Sequence, residues 1–279
     1  MIHYQEHYPS NKFRNIISCF WTMGFAPDAK LPRLDVVLPD GCTDLLINTG
    51  PTFKRIDNQS SKDFLIKDYA LIGQRKNAIE ISQTIDTTFF AIRFTPFGVK
   101  SLFPFDSSEL TGDMIDMDRS IKNLVDPIRS ILEKKIPFQK KLIEIQEVLE
   151  NKMVNSLTSN FLVEKATSEI LSAHGNFNVA QFCEKANIHK STLEKNFLSY
   201  VGLRPKEFAA IIRFNHAHSL LQKGNKIKLT HLALDCGYYD QSHMIKEFRR
   251  FSNSSPSELM KAKYLLPEIA ASCYQSLRF

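Results

Sequence analysis

Along the first hundred residues apolar positions come in short runs: 34-LDVVL-38, 42-CTDLLIN-48, 69-YALIG-73 and 89-FFAIRF-94. Turn chemistry at Pro39-Asp40-Gly41 and 49-TGPT-52 separates them, so this region is expected to be β-rich. Strands this short and frequent favour a barrel or a sandwich. After Pro96 the hydrophobic period lengthens. Segment 98-GVKSLFP-104 predicts a brief helix, and 121–135 and 139–157 predict longer ones. In the last of these, Leu142, Ile145, Val148 and Leu149 form one apolar stripe, which fits packing on its own domain or on a second subunit. A further helix over 161–176 should stop at His174-Gly175-Asn176, and a domain boundary is expected between about 155 and 168.

The C-terminal half repeats a pattern. Leu193, Lys195, Phe197, Gly202, Pro205, Glu207 and Phe208 recur 51 residues later as Met244, Lys246, Phe248, Asn253, Pro256, Glu258 and Leu259. The apolar residue and the Phe lie four apart, on one face of a helix, and the Lys between them points elsewhere. Gly or Asn can take the left-handed conformation that ends a helix, and Pro suits the first turn of the next. Ser255-Pro256-Ser257-Glu258 also makes a capping box. A short helix and a tight turn precede each copy: 179-VAQFCEKA-186 with Asn187 and Ile188, and 229-LTHLALDC-236 with Gly237 and Tyr238. Helix, turn, helix is the plan whose second helix enters a DNA major groove. Between the copies, 205-PKEFAAIIRFNHAHSLLQKG-224 predicts one continuous helix closed by Gly224-Asn225. About 18 residues at 1.5 Å each span roughly 27 Å, within reach of the ~34 Å between successive major-groove faces on one side of B-DNA.

Charge sharpens this picture. The 279-residue chain carries +6, and residues 151–279, with 17 Lys/Arg and 10 Asp/Glu, carry +7 of it, against −1 for residues 1–150. A basic half beside a neutral one points to a polyanionic partner. The composition is 43% hydrophobic and 24% charged, that of a globular chain able to bury real cores. No apolar run approaches a membrane span, and MIHYQEHYPSNKF lacks a signal peptide's apolar stretch, so a cytoplasmic location is expected. Five dispersed cysteines (Cys19, Cys42, Cys183, Cys236, Cys273) without a CxxC pair fit reduced thiols.

Residues from about 170 to 262 resemble the tandem helix-turn-helix domain of the AraC/XylS family of bacterial transcription regulators. The carriers are 237-GYYDQSHMIKEFRR-250 with 255-SP-256, and Arg213 through 220-LL-221. Residues 13–105, including 38-LPDGCTDLLIN-48, Gly73 and 92-IRFTPFGVKSLFP-104, resemble an N-terminal domain of some members, a cupin-like β-barrel. The resemblance implies a multidomain α+β fold: a β-rich domain with a helical extension (1–160), the DNA-binding domain (161–265) and a tail (266–279). It also implies double-stranded operator DNA as partner, with RNA polymerase, a small-molecule effector of the N-terminal domain and a second copy of the chain as further candidates. The implied DNA contacts are Lys190, Ser191, Glu194 and Lys195 in the first unit, and Gln241, Ser242, Ile245 and Lys246 in the second. Gln241 suits adenine, Glu194 cytosine N4, Ile245 a thymine methyl, and the lysines guanine or phosphate. Arg249 and Arg250 suit phosphates. Two departures from the family pattern stand out: His189, where a capping Ser is usual, and Asn253, where Gly is usual.

Catalytic patterns are sparse. GxSxG, GxxxxGK[ST], HExxH and GxGxxG are all absent. Only His3 and His7 precede His174, too few for a His-based metal site in the β-rich part, so no cofactor or metal is expected. The acidic run 106-DSSELTGDMIDMDR-119 lacks EF-hand alternation and reads as a solvated turn. Trp21, with Phe20 and Phe25, reads as core before ligand pocket. The chain is expected not to be an enzyme; the alternative is an N-terminal barrel enzyme of DNA-repair type, with Cys42 as its reactive thiol and the helices as a DNA-targeting domain.

Overall fold

The computed structural model describes residues 2–25, 35–57, 62–82, 88–112, 114–115, 119–153, 160–223 and 228–262. Its strands are β1 (Ile2–His7), β2 (Ile17–Phe25), β3 (Asp35–Val37), β4 (Thr43–Asn48), β5 (Phe53–Asp57), β6 (Lys62–Ile66), β7 (Tyr69–Ile72), β8 (Ile79–Ser82), β9 (Phe89–Phe94) and β10 (Met114–Ile115). They form two antiparallel sheets, one of six strands in the order β1-β2-β9-β4-β7-β10 and one of four in the order β3-β8-β5-β6. Among the described residues no ladder joins the two sheets.

The period-2 rule sorts the larger sheet into two apolar faces. Phe20, Leu45, Ile47, Tyr69, Leu71, Phe90, Ile92 and Phe94 point one way. Cys19, Trp21, Met23, Leu46, Ala70, Ile72, Phe89 and Ala91 point the other. A helical hairpin, α1 (Arg119–Glu133) and α2 (Phe138–Lys152), covers the first face. The α2 stripe therefore packs on its own domain: Leu142, Ile145 and Leu149 are buried against the sheet and the apolar face of α1, with Val148 beside them. Each such side chain contributes about 1.5–3 kcal/mol by leaving water. Trp21 and Phe20 are likewise core residues, on opposite faces; the side chain of Phe25 lies outside the described residues.

Among the described residues seven helices follow: α3 (Phe161–Ser172), α4 (Val179–Lys185), α5 (Lys190–Val201), α6 (Pro205–Gln222), α7 (Leu229–Asp235), α8 (Gln241–Ser252) and α9 (Pro256–Lys261). Asn160 caps α3 by accepting from Val163 N, and the left-handed His174 and Gly175 turn the chain after it. The last described residue of α6 is Gln222; Gly224-Asn225 lies outside the described residues, as do Cys273 and the tail 266–279. The core of the helices includes Val36, Leu38 and Ala78 from the β-rich part.

Among the described residues, two contacts fix the β-rich part to the helices. In the first, the 39–41 turn sits against α6. Asn215 donates to Pro39 O at 2.9 Å, and a side chain at Gly41 would come within 3.1 Å of Phe208 and Ile212. Lys76 pairs with Glu207 at 2.9 Å nearby. A buried ionic group anchors the turn from the sheet side. Arg93 contacts Asp44 at 3.0 Å and Asp40 at 3.1 Å, Arg75 contacts Asp40 at 3.3 Å, and Trp21 Nε1 donates to Asp44. Burial alone would raise the Asp44 carboxyl, but the Arg93 guanidinium outweighs it and holds the group below its ordinary value. The second contact joins the 3-10 turn Ser107–Leu110 and Thr111 to the end of α5.

Candidate nucleic-acid interface

The 51-residue sequence repeat is a structural repeat. Helices α5 and α8 each have 12 residues, α4 and α7 each have seven, and α6 and α9 both begin at the repeated Pro. In the first turn Asn187 N donates to Glu184 O and Ile188 N to Cys183 O; in the second Gly237 N donates to Leu234 O and Tyr238 N to Ala233 O. Asn187 (φ 51°) and Gly237 (φ 75°) both take the left-handed conformation the turn requires. Up to this point the copies are offset by 50 residues, and from the N-caps His189 and Asp240 onward by 51. The extra residue is Tyr239, which projects 87% exposed from the second turn.

Each recognition helix buries one face and offers the other. Leu193, Phe197 and Val201 anchor α5, and Met244, Phe248 and Phe251 anchor α8. The N-caps differ as the sequence suggested. Asp240 accepts from His243 N at 2.7 Å, whereas the His189 side chain makes no capping bond. Both C-caps are left-handed, Gly202 at φ 82° and Asn253 at φ 57°. Ser255 and Glu258 close the capping box of α9 reciprocally.

Of the expected DNA contacts, Lys190, Ser191, Lys195, Ser242, Lys246, Arg249 and Arg250 are exposed, and Glu194, Gln241 and Ile245 are half-buried. Several of them are also engaged within the chain. Glu194 pairs with Lys190 at 3.4 Å, and Gln241 accepts from Thr230 of α7 at 2.8 Å, an arrangement that orients the amide from outside its own helix. Arg249 and Arg250 end α8, where cations complement the helix dipole, and Arg250 lies over the Phe251 ring.

The sequence did not single out a cleft of about 670 Å³ beside α5. Asn176, Phe177, Asn178, Gln181, Lys190 and Lys206 line it. Asn178 caps α4 through Gln181 N, and the two lysines reach the cleft from the starts of α5 and α6. Lysines and helix-start amides on one cleft suit a phosphate. The sequence signal was Lys206 directly after the helix-opening Pro205.

Thiol chemistry finds little support. Cys19, Cys42, Cys183 and Cys236 are free and buried. Burial, with Asp40 and Asp44 adding to it against Arg93, pushes the Cys42 thiol well above its ordinary value, the reverse of what a thiolate nucleophile needs. Among the described residues no three His, Cys, Asp or Glu side chains gather as a metal site. Nor is any described helix long and apolar enough to cross a membrane.

Comparison with known proteins agrees with this geometry. Residues 182–262 match the family model described as a helix-turn-helix domain, of the AraC type. The C-terminal part of the chain carries an AraC-type helix-turn-helix domain. Residues 5–116 match a second model, described only as a domain of unknown function. An uncharacterized HTH-type transcriptional regulator of Haemophilus influenzae is 25% identical over 52% of this chain and 47% of its own length. The HTH-type transcriptional activator RhaR of Yersinia pseudotuberculosis is 27% identical over 35% of this chain and 32% of its own. Histidine kinase P4 of Formosa agariphila is 22% identical over 64% of this chain but 13% of its own length. The chain thus spans less than half the length of each of these relatives. Among solved structures, ToxT from Vibrio cholerae aligns over 92% of this chain and 98% of its own, with 13% identity and a TM-score of 0.46.

Proposed function

We propose that the chain is a sequence-specific DNA-binding transcription regulator that places α5 and α8 in neighbouring major-groove segments of one duplex. The observation that carries this reading is the structural repeat: two helix-turn-helix units in the basic half, joined by the 18-residue helix α6, each offering an exposed Lys and Ser face. Lys190, Ser191, Glu194 and Lys195 serve one segment and Gln241, Ser242, Ile245 and Lys246 the other. Arg249, Arg250 and Lys206 hold phosphates, which supply a salt-dependent attraction without sequence preference. Relatives named as transcriptional regulators support the same reading.

The division into a regulatory domain (1–160), a DNA-binding domain (161–265) and a tail (266–279) belongs to this proposal. So do a cytoplasmic location and three further partners: RNA polymerase, a small-molecule effector of the sheets and a second copy of the chain. Selection of bound sites from random DNA by the purified full chain tests the core of it. Two short motifs whose centres lie about 10 base pairs apart should emerge. Enrichment of one motif alone, or of none, would reject the paired reading.

A further inference from the structure

The C-terminal ends of the two recognition helices are finished in different ways. A helix leaves its last carbonyls without partners inside the helix. In α8 the chain supplies its own donors: Asn253 N donates to Arg249 O at 3.0 Å, and Ser252 Oγ adds a bond to Phe248 O at 2.8 Å and contacts Ser254 O at 3.1 Å. The equivalent residue of α5, 51 positions earlier, is Val201, which has no hydroxyl. Gly202 N turns back to Phe197 O and Leu198 O, both at 3.1 Å. Tyr200 O and Gly202 O are met from the N-terminal domain instead. Ser107 Oγ donates to Tyr200 O at 2.8 Å, and Thr111 Oγ1 donates to Gly202 O.

Neighbouring groups reinforce the contact. Ser199 Oγ donates to Asp106 at 2.6 Å, Lys100 pairs with the same carboxylate, and Lys100 lies over the Tyr200 ring at 5.6 Å. The fit leaves no room at Gly202, where a Cβ would stand 2.6 Å from Ser107 O and from Thr111 Oγ1. This accounts for a difference between the copies. Asn tolerates the left-handed conformation and occupies the exposed position 253, but at 202 only Gly admits the second domain.

We infer that the N-terminal domain completes recognition helix α5 in trans of its own fold unit, with Ser107 and Thr111 as positioning residues for one half of the DNA site and none for the other. This rests on the DNA-reading proposal above. A 12-residue helix is marginal by itself, and its direction depends on how its ends are held. Lys195 lies little more than one turn from Tyr200, so loosening the clasp moves the residues that face DNA. Helix α8, which closes on its own Ser252, has no such dependence. The N-terminal domain therefore acts on sequence preference at the α5 half, and not merely on overall affinity.

The test uses the full chain and the site it selects from random DNA. Base preferences lost in Lys195→Ala mark the α5 half, and those lost in Lys246→Ala mark the α8 half. The double variant Ser107→Ala/Thr111→Val should then lower discrimination at the α5 half by about tenfold, the scale of two lost hydrogen bonds, and leave the α8 half unchanged. Thr111→Ser, which keeps the hydroxyl, should retain wild-type discrimination. If the double variant does not fold, Thr111→Val alone carries the comparison with an expected loss of about threefold. Equal weakening of both halves, or no change in either, overturns the inference. A wild-type chain that selects no sequence overturns the DNA reading itself, a result distinct from either.

Discussion

Arg213 of the connecting helix α6 grips Glu247 of α8 through both carboxylate oxygens, each 3.0 Å from Nη2. The guanidinium also lies 4.7 Å from the centre of the Tyr238 ring, so one side chain ties α6, the second turn and α8 together. Both members are largely buried, with side-chain exposures of 17% and 12%. Arg213→Ala leaves Glu247 desolvated without its partner, and unfolding by urea should show a loss of about 3–5 kcal/mol. Arg213→Lys keeps the charge but not the fork and should fall between the two. Arg213→Met/Glu247→Leu, which removes both charges, should recover most of the loss. A stability change below ~1 kcal/mol in Arg213→Ala would contradict the joint.

Lys195 and Lys246 occupy equivalent exposed positions on the two recognition helices. Each single change to Ala should weaken binding to the selected site without altering the thermal unfolding profile. A lysine that reads a base loses preference at that position, worth about 1–3 kcal/mol. Undiminished affinity in a gel-shift titration at fixed salt would remove that residue from the interface.

Lys206 makes a contrasting case. As a phosphate contact at the cleft beside α4, it should lower affinity for every sequence alike when changed to Ala. The slope of log affinity against log salt should become shallower by about 0.9. An unchanged slope would assign the lysine to the solvent.

His218 is 1% exposed and its imidazole accepts a hydrogen-bond contact from Gln222 at 3.3 Å. Burial lowers its pKa from the ordinary 6.5 to about 4. Below about pH 6.5 the unfolded chain takes up a proton that the folded chain refuses, so stability is complete above that pH and falls as the pH drops toward about 4. The loss attached to this residue is about 3 kcal/mol. Denaturant titrations at pH 7 and pH 4.5 should show a smaller difference in His218→Gln than in wild type. Equal pH dependence in the two would assign the effect elsewhere; His216, also lowered to about 4 and stacked on His174 at 4.0 Å, is the next group to replace.

The helical half was legible because its punctuation is local. Asn178 before α4, Gly202 after α5 and Ser255-Pro256 before α9 each act on backbone groups within a few residues. Strands β4, β7 and β9 were legible as short apolar runs between turns. Strand β2 was not, because 17-ISCFWTMGF-25 carries apolar residues to both faces: Phe20 goes to one side, and Cys19, Trp21 and Met23 to the other. Strand β1 is a polar edge, 2-IHYQEH-7, with no face for a pattern to reveal. The clasp on α5 joins residues 93 and 91 positions apart, and no local rule connects them. Its trace was nevertheless present in the repeat itself, as Val201 where the second copy has Ser252.

The single inserted residue, Tyr239, makes the two units unlike, and unlike units cannot trade places. Two identical subunits related by a two-fold axis sit on a palindrome equally well either way round. In the proposed reading, one polypeptide with a distinct first and second reader instead gives its target a head and a tail, so the orientation of the bound molecule on the chromosome is written into the order of bases it occupies.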